Sequence, residues 1–219
     1  MTSEDQAAVH RSLNLLREWM VQAGPQFWPQ EQTLQDWLGA AFVEGGLCRH
    51  ATHIVAEVAL GETERDLDHL RHLIQAGSPT STFLYDLVVL SGRARGQARS
   101  FETVRDPGIS LVVQVKALNS AGTMKRADLR QDVKTLWVAR EYERRRGNEV
   151  DTLFVVLATS CKDQDGTKAA ARMRWLRARF HEVTGHDGAA DFAGGIPMAL
   201  VLADEVLLRT TTGTWQPEG

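Results

Sequence analysis

Cysteine is scarce in this sequence: Cys48 and Cys161 are the only two, far apart and outside any paired-thiolate motif. Their spacing excludes a disulfide framework and a cysteine-rich zinc site, and both thiols are expected to be reduced. Long apolar runs are missing as well. None approaches the length of a membrane span, and Met1-Thr2-Ser3-Glu4-Asp5 is acidic where a secretion signal would be basic and then apolar. A soluble, cytoplasmic protein without a membrane partner is the expectation. Internal repeats, low-complexity tracts and linker-like stretches are absent too, so residues 1–219 are read as one domain. With 43% hydrophobic residues the chain can bury one substantial core.

Net charge is small, at -3, but unevenly spread. Residues 1–85 carry 5 Lys and Arg against 11 Asp and Glu, whereas residues 86–186 carry 19 against 12. The second half is therefore basic, as a surface that meets phosphate would be.

Hydrophobic spacing suggests the elements. Leu13, Leu16, Trp19 and Met20 predict an amphipathic N-terminal helix over residues 10–23, closed by Gly24-Pro25. Leu34, Trp37, Leu38, Ala41 and Phe42 predict a second, running to Gly45-Gly46, with Glu31 near its start. Residues 53–60 fit either a strand or a helix, with strand preferred, and Thr63 with Asp66 signals a short helix ended by Gly77 and Pro79. The period then changes from helical to alternating. Residues 83–90 and 109–118 are rich strand signals joined by a polar hairpin connection, and a helix over 126–146 with a Gly147 stop leads to a buried strand at 152–158. A further helix ending at Gly185 and one or two strands between Pro197 and Leu208 complete a C-terminal segment over 167–210. The fold class predicted is α/β with a mixed sheet.

Two strands carry polar residues where burial makes them costly. Gln114 and Lys116 share one face of a strand whose neighbours are apolar, and Asp86 interrupts Phe83-Leu84-Tyr85-Asp86-Leu87-Val88 in the strand before it. Adjacent strands would bring the three together. An Asp86–Lys116 ion pair at the end of a sheet accounts for the charges but gives Gln114 no special reason to be there.

The element order is a further clue. A helical acid at Glu31, a strand Asp at Asp86, the triplet Gln114-Val115-Lys116 and the helix beginning near Asp128-Leu129-Arg130-Gln131-Asp132 together resemble the PD-(D/E)XK nuclease superfamily, with its restriction-endonuclease-like fold, over about residues 30–160. The resemblance implies a metal-dependent nuclease acting on DNA. Asp86, Gln114, Lys116 and Glu31 would be its catalytic residues, and Asp86 and Gln114 would hold Mg²⁺ or Mn²⁺. Gln114 departs from the acidic form of the motif, and a neutral amide attracts a cation less than a carboxylate does. Glu57 is the competing metal ligand if residues 53–60 form the first core strand, and Glu44 is a further acid on the helix.

Arg93, Arg95 and Arg99 in the hairpin connection, with Lys125, Arg126 and Arg130 at the start of the following helix, form the expected phosphate track. Two other readings stay open: a nuclease-fold module that binds nucleic acid or a partner protein without cutting, and a subunit active only in a homodimer or larger complex. Cys48, His50 and His53, with His69 and His72, form a weak zinc pattern that lacks a second ligand pair at finger-like spacing.

Overall fold

Alternating and helical periods sort into one sheet with helices on both faces. The computed structural model describes residues 1–24, 31–60, 84–92, 108–118, 126–158, 167–184, 196–209 and 215–217. Among them the order is α1 (Ser3–Ala23), α2 (Glu31–Glu44), β1 (Ile54–Ala59), β2 (Leu84–Leu90), β3 (Ile109–Leu118), α3 (Arg126–Arg145), β4 (Asp151–Ala158), α4 (Thr167–Thr184), β5 (Met198–Val201), β6 (Val206–Arg209) and β7 (Trp215–Pro217). The sheet is seven-stranded, with neighbours in sequence order. β1, β2 and β3 run antiparallel to one another, β3–β4 and β4–β5 are parallel, and β6 and β7 return antiparallel. This is an α/β fold with a mixed sheet. The ambiguous stretch at 53–60 is a strand, while the short helix expected after Thr63 and the hairpin connection through residues 93–107 lie outside the described residues.

The helix expected from residue 10 begins at Ser3. Thr2 caps it in a reciprocal box, its hydroxyl accepting from the Asp5 amide at 3.2 Å while the Asp5 carboxylate accepts from the Thr2 amide at 3.0 Å. Polar residues 3–6 hide this start from a hydrophobic-period reading. At the other end of the chain, β7 extends the sheet beyond the segment expected to finish at 210, pairing with β6 through Leu208 and Gln216.

Strand alternation divides the core. Leu153, Val155 and Leu157 of β4 join Leu111, Val113 and Val115 of β3 beneath Leu13 and Leu16 of α1 and Leu34, Leu38 and Phe42 of α2. Phe154, Val156 and Ala158 face the other way, into a cluster with Val112, Leu129, Leu136, Leu176 and Phe180. α1 and α2 therefore cover one face, and α3 and α4 the other. Gly45 lets α1 and α2 meet closely, since a methyl group there would lie 2.2 Å from Ser12 Oγ. α3 ends as its sequence suggests, with Gly147 at φ 79 and its amide donating to the Arg144 carbonyl. Arg177 of α4 reaches Asp204 and Glu205 in the β5–β6 turn and fastens that corner.

Two outcomes follow from this packing. Thr2→Ala should cost about 1 kcal/mol in urea unfolding at neutral pH. The Thr2 hydroxyl holds the Asp5 carboxyl below its usual 3.8, so this contribution is present above that value and fades as pH falls through the lower folded value. Cys48 is buried, and its thiol is pushed up to about 11 by desolvation, so in a Cys161→Ser background it should react with a disulfide reagent only on unfolding.

Candidate active site

The β2–β3 ladder stops where its polar residues begin. Paired rungs run from Leu90 and Ile109 to Leu87 and Val113. Beyond them side chains take over the hydrogen bonding. The Asp86 amide donates to Gln114 Oε1 at 3.0 Å, Gln114 Nε2 donates to the Leu84 carbonyl at 3.4 Å, and the Val115 amide donates to Asp86 Oδ2 at 2.6 Å. Gln114, at 8% exposure, thus clips two strands together, a duty that explains its burial without a cation.

The β1 side of Asp86 is irregular as well. Pairing between β1 and β2 joins Ala56 to Leu87 and Val58 to Tyr85, so Glu57 and Asp86 face each other across a rung that is left out of the ladder. Both strands turn over at this rung. Val55 and Val58, three residues apart, pack towards α3, and so do Tyr85 and Val88. Strict alternation would separate the members of each pair. Glu57 absorbs the change with φ 53, the one positive φ among the described non-glycine residues. Such a conformation costs on the order of 1–3 kcal/mol in a residue with a Cβ.

The reversal carries Asp86 towards α2, where Gln35 Nε2 donates to Asp86 Oδ1 at 3.1 Å. Gln35 is 5% exposed, and its Oε1 is sealed from solvent with no hydrogen-bond donor among the described residues. Leaving a buried carbonyl unmatched costs about 1–3 kcal/mol. Sequence reasoning missed Gln35 because an amide on an amphipathic helix carries no charge signal. The helical acid it chose instead, Glu31, opens α2 one turn before Gln35.

Lys116 is half-buried and follows directly after the Val115 amide that binds Asp86, in the rung opposite Val156 of β4. By alternation it shares the α3 side with Gln114. The structure therefore joins Asp86 to Gln114 and Gln35, sets Glu57 across the rung with an exposed side chain, and keeps Lys116 two residues from the Gln114 clip.

Arg93, Arg95, Arg99 and Lys125 lie outside the described residues. Arg126 and Arg130 occupy the first two turns of α3, after the end of β3 that carries Lys116. Glu44 closes α2, at the end away from Gln35.

No protein-family model, no curated protein and no solved structure matches this chain. A cavity of about 510 Å³ lies at the other end of β2 and β3, lined by Cys48, His53, Leu90, Ser110 and Leu111, and takes in none of the Asp86 cluster. His50 and His53 meet edge to face at 5.9 Å, yet among the described residues no three His, Cys, Asp or Glu side chains converge to hold a metal. A cation at Asp86 would draw on amide and main-chain oxygens too.

Substitution separates the Gln114 clip from the strained rung at Glu57. Gln114→Ala should destabilise the fold by about 1–3 kcal/mol, because the Asp86 amide and Leu84 carbonyl lose their partner. Glu57→Gly should stabilise it by about 1 kcal/mol through relief of the positive φ. Chemical denaturation of both variants reads the two opposite signs.

Proposed function

We propose that this protein is a metal-dependent nuclease of the PD-(D/E)XK type that hydrolyses DNA phosphodiester bonds. The observation that carries the reading is the Asp86 carboxylate held by the Val115 amide of β3 and the Gln35 amide of α2, where the β2–β3 ladder stops. The order α2–β1–β2–β3–α3–β4, with three antiparallel strands and a parallel fourth, agrees with a restriction-endonuclease-like core.

The donor set suits a hard divalent cation. Asp86 offers carboxylate oxygens, Gln114 an amide oxygen and Glu57 a further carboxylate from the facing rung, and Mg²⁺ and Mn²⁺ prefer oxygen ligands completed by substrate phosphate. When bound, such a cation polarises the phosphodiester and makes a water molecule more acidic. The amides of Gln35 and Val115 hold the Asp86 carboxylate in one orientation, so little reorganisation is needed when charge develops nearby. Lys116, next to the Val115 amide on the α3 side of β3, is the point charge assigned to the phosphate oxygens that become more negative during attack. Glu31 is the auxiliary acid from α2. The basic second half of the chain, with Arg93, Arg95, Arg99, Lys125, Arg126 and Arg130, would follow the phosphate backbone without reading bases.

One observation favours a second reading. Gln114 Oε1 already accepts from the Asp86 amide, which suits a nuclease-fold module that binds nucleic acid or a partner protein without cutting.

Incubation with supercoiled, linear duplex and single-stranded DNA in Mg²⁺ or Mn²⁺ tests the main reading. Wild type should cut at least one substrate, and Asp86→Ala and Lys116→Ala should each lose about 10²-fold or more in rate. No cutting by wild type, with DNA still retained in a gel shift, would favour the binding module.

A further inference from the structure

Gln35 has a polar atom that the strand clip leaves without use. Its amide is fixed at one end by the 3.1 Å bond from Nε2 to Asp86 Oδ1, while Oε1 is buried and meets no donor among the described residues. Amide bond lengths set Oε1 about 2.2 Å from Nε2, so it lies no more than about 5.3 Å from Asp86 Oδ1. Oxygen ligands of one divalent cation, each about 2.1–2.5 Å from the ion, lie up to about 5 Å apart. Rotation of the amide would bring the two oxygens within that span.

We infer that Gln35 is a direct oxygen ligand of a divalent cation shared with Asp86, a role that rests on the metal-site reading above. The same amide serves twice. Its N–H aims the Asp86 carboxylate, and its carbonyl meets the cation beside it. α2 thereby contributes a neutral ligand one turn beyond Glu31, the acid that opens the helix. A site that gathers amide oxygens in place of carboxylates binds cations more weakly, because affinity follows the charge of the ligand set.

Calorimetric titration of the full chain with Mn²⁺ tests this with Gln35→Ala, Gln35→Glu and Asp86→Asn. Gln35→Ala should weaken binding about tenfold or more. Gln35→Glu keeps an acceptor oxygen and adds charge while losing the N–H, so it should bind Mn²⁺ at least as tightly as wild type. A purely structural clamp predicts the reverse. Gln35→Glu would then lose the bond to Asp86, gain repulsion and fall with Gln35→Ala, and that pattern overturns the inference, as does wild-type binding by Gln35→Ala. Asp86→Asn separates the two levels of argument. If it titrates like wild type, or wild type binds no Mn²⁺, the metal-site reading fails along with this one. Melting in EDTA shows that each variant is folded, and added Mn²⁺ should raise the melting temperature of wild type and Gln35→Glu more than that of Gln35→Ala.

Discussion

The bond from the Val115 amide to the Asp86 carboxylate governs how this sheet is built around its polar centre. In a regular antiparallel pair that amide would find a main-chain carbonyl on β2. Here a side-chain oxygen takes the carbonyl's place at 2.6 Å, and a charged acceptor makes the bond stronger than the one it replaces. The strands can then stop pairing without leaving buried amides unmatched. Gln114 repeats the device in the opposite direction, accepting from the Asp86 amide and donating to the Leu84 carbonyl. The two side chains work as one unit, and each satisfies main-chain groups of the other's strand.

The neighbouring strand shares the cost. β1 and β2 turn over together at the rung of Glu57 and Asp86, so Val58 and Tyr85 are buried towards α3 while Ala56 and Leu87 remain on the α2 side. Without that reversal Asp86 would follow the parity of Val88 and face the α3 side. Glu57 holds a positive φ to allow it. Strain at one residue and a missing rung thus deliver a carboxylate to Gln35, against α2. Backbone strain of this sort persists where the surroundings over-determine it, and it gathers at sites with work to do.

Much of the frame was legible beforehand. The strands at residues 84–90, 109–118 and 151–158 announced themselves through β-branched and aliphatic runs, and α3 through its apolar face and Gly147 stop. Asp86 and Gln114 stood out because polar residues interrupt apolar strands. The early start of α1 was hidden, since the Thr2–Asp5 box is a hydrogen-bond pattern in a stretch with little hydrophobic periodicity. Gln35 was hidden for a different reason: its meaning depends on a residue 51 positions away.

Sequence by itself determined the residue types and their spacing: alternation fixed which strand residues could share a face, and the 3.6-residue period fixed which side of each helix was apolar. It also determined that Asp86 and the Gln114-Val115-Lys116 triplet would need partners once buried. Tertiary structure alone decided what those partners are. Alternation assumes an unbroken strand, and the break at Glu57 and Asp86 is a compromise among β1, β2, β3 and α2 that no one segment encodes. For that reason the carboxylate could be found from the sequence, while its direction and its amide neighbour on α2 could not.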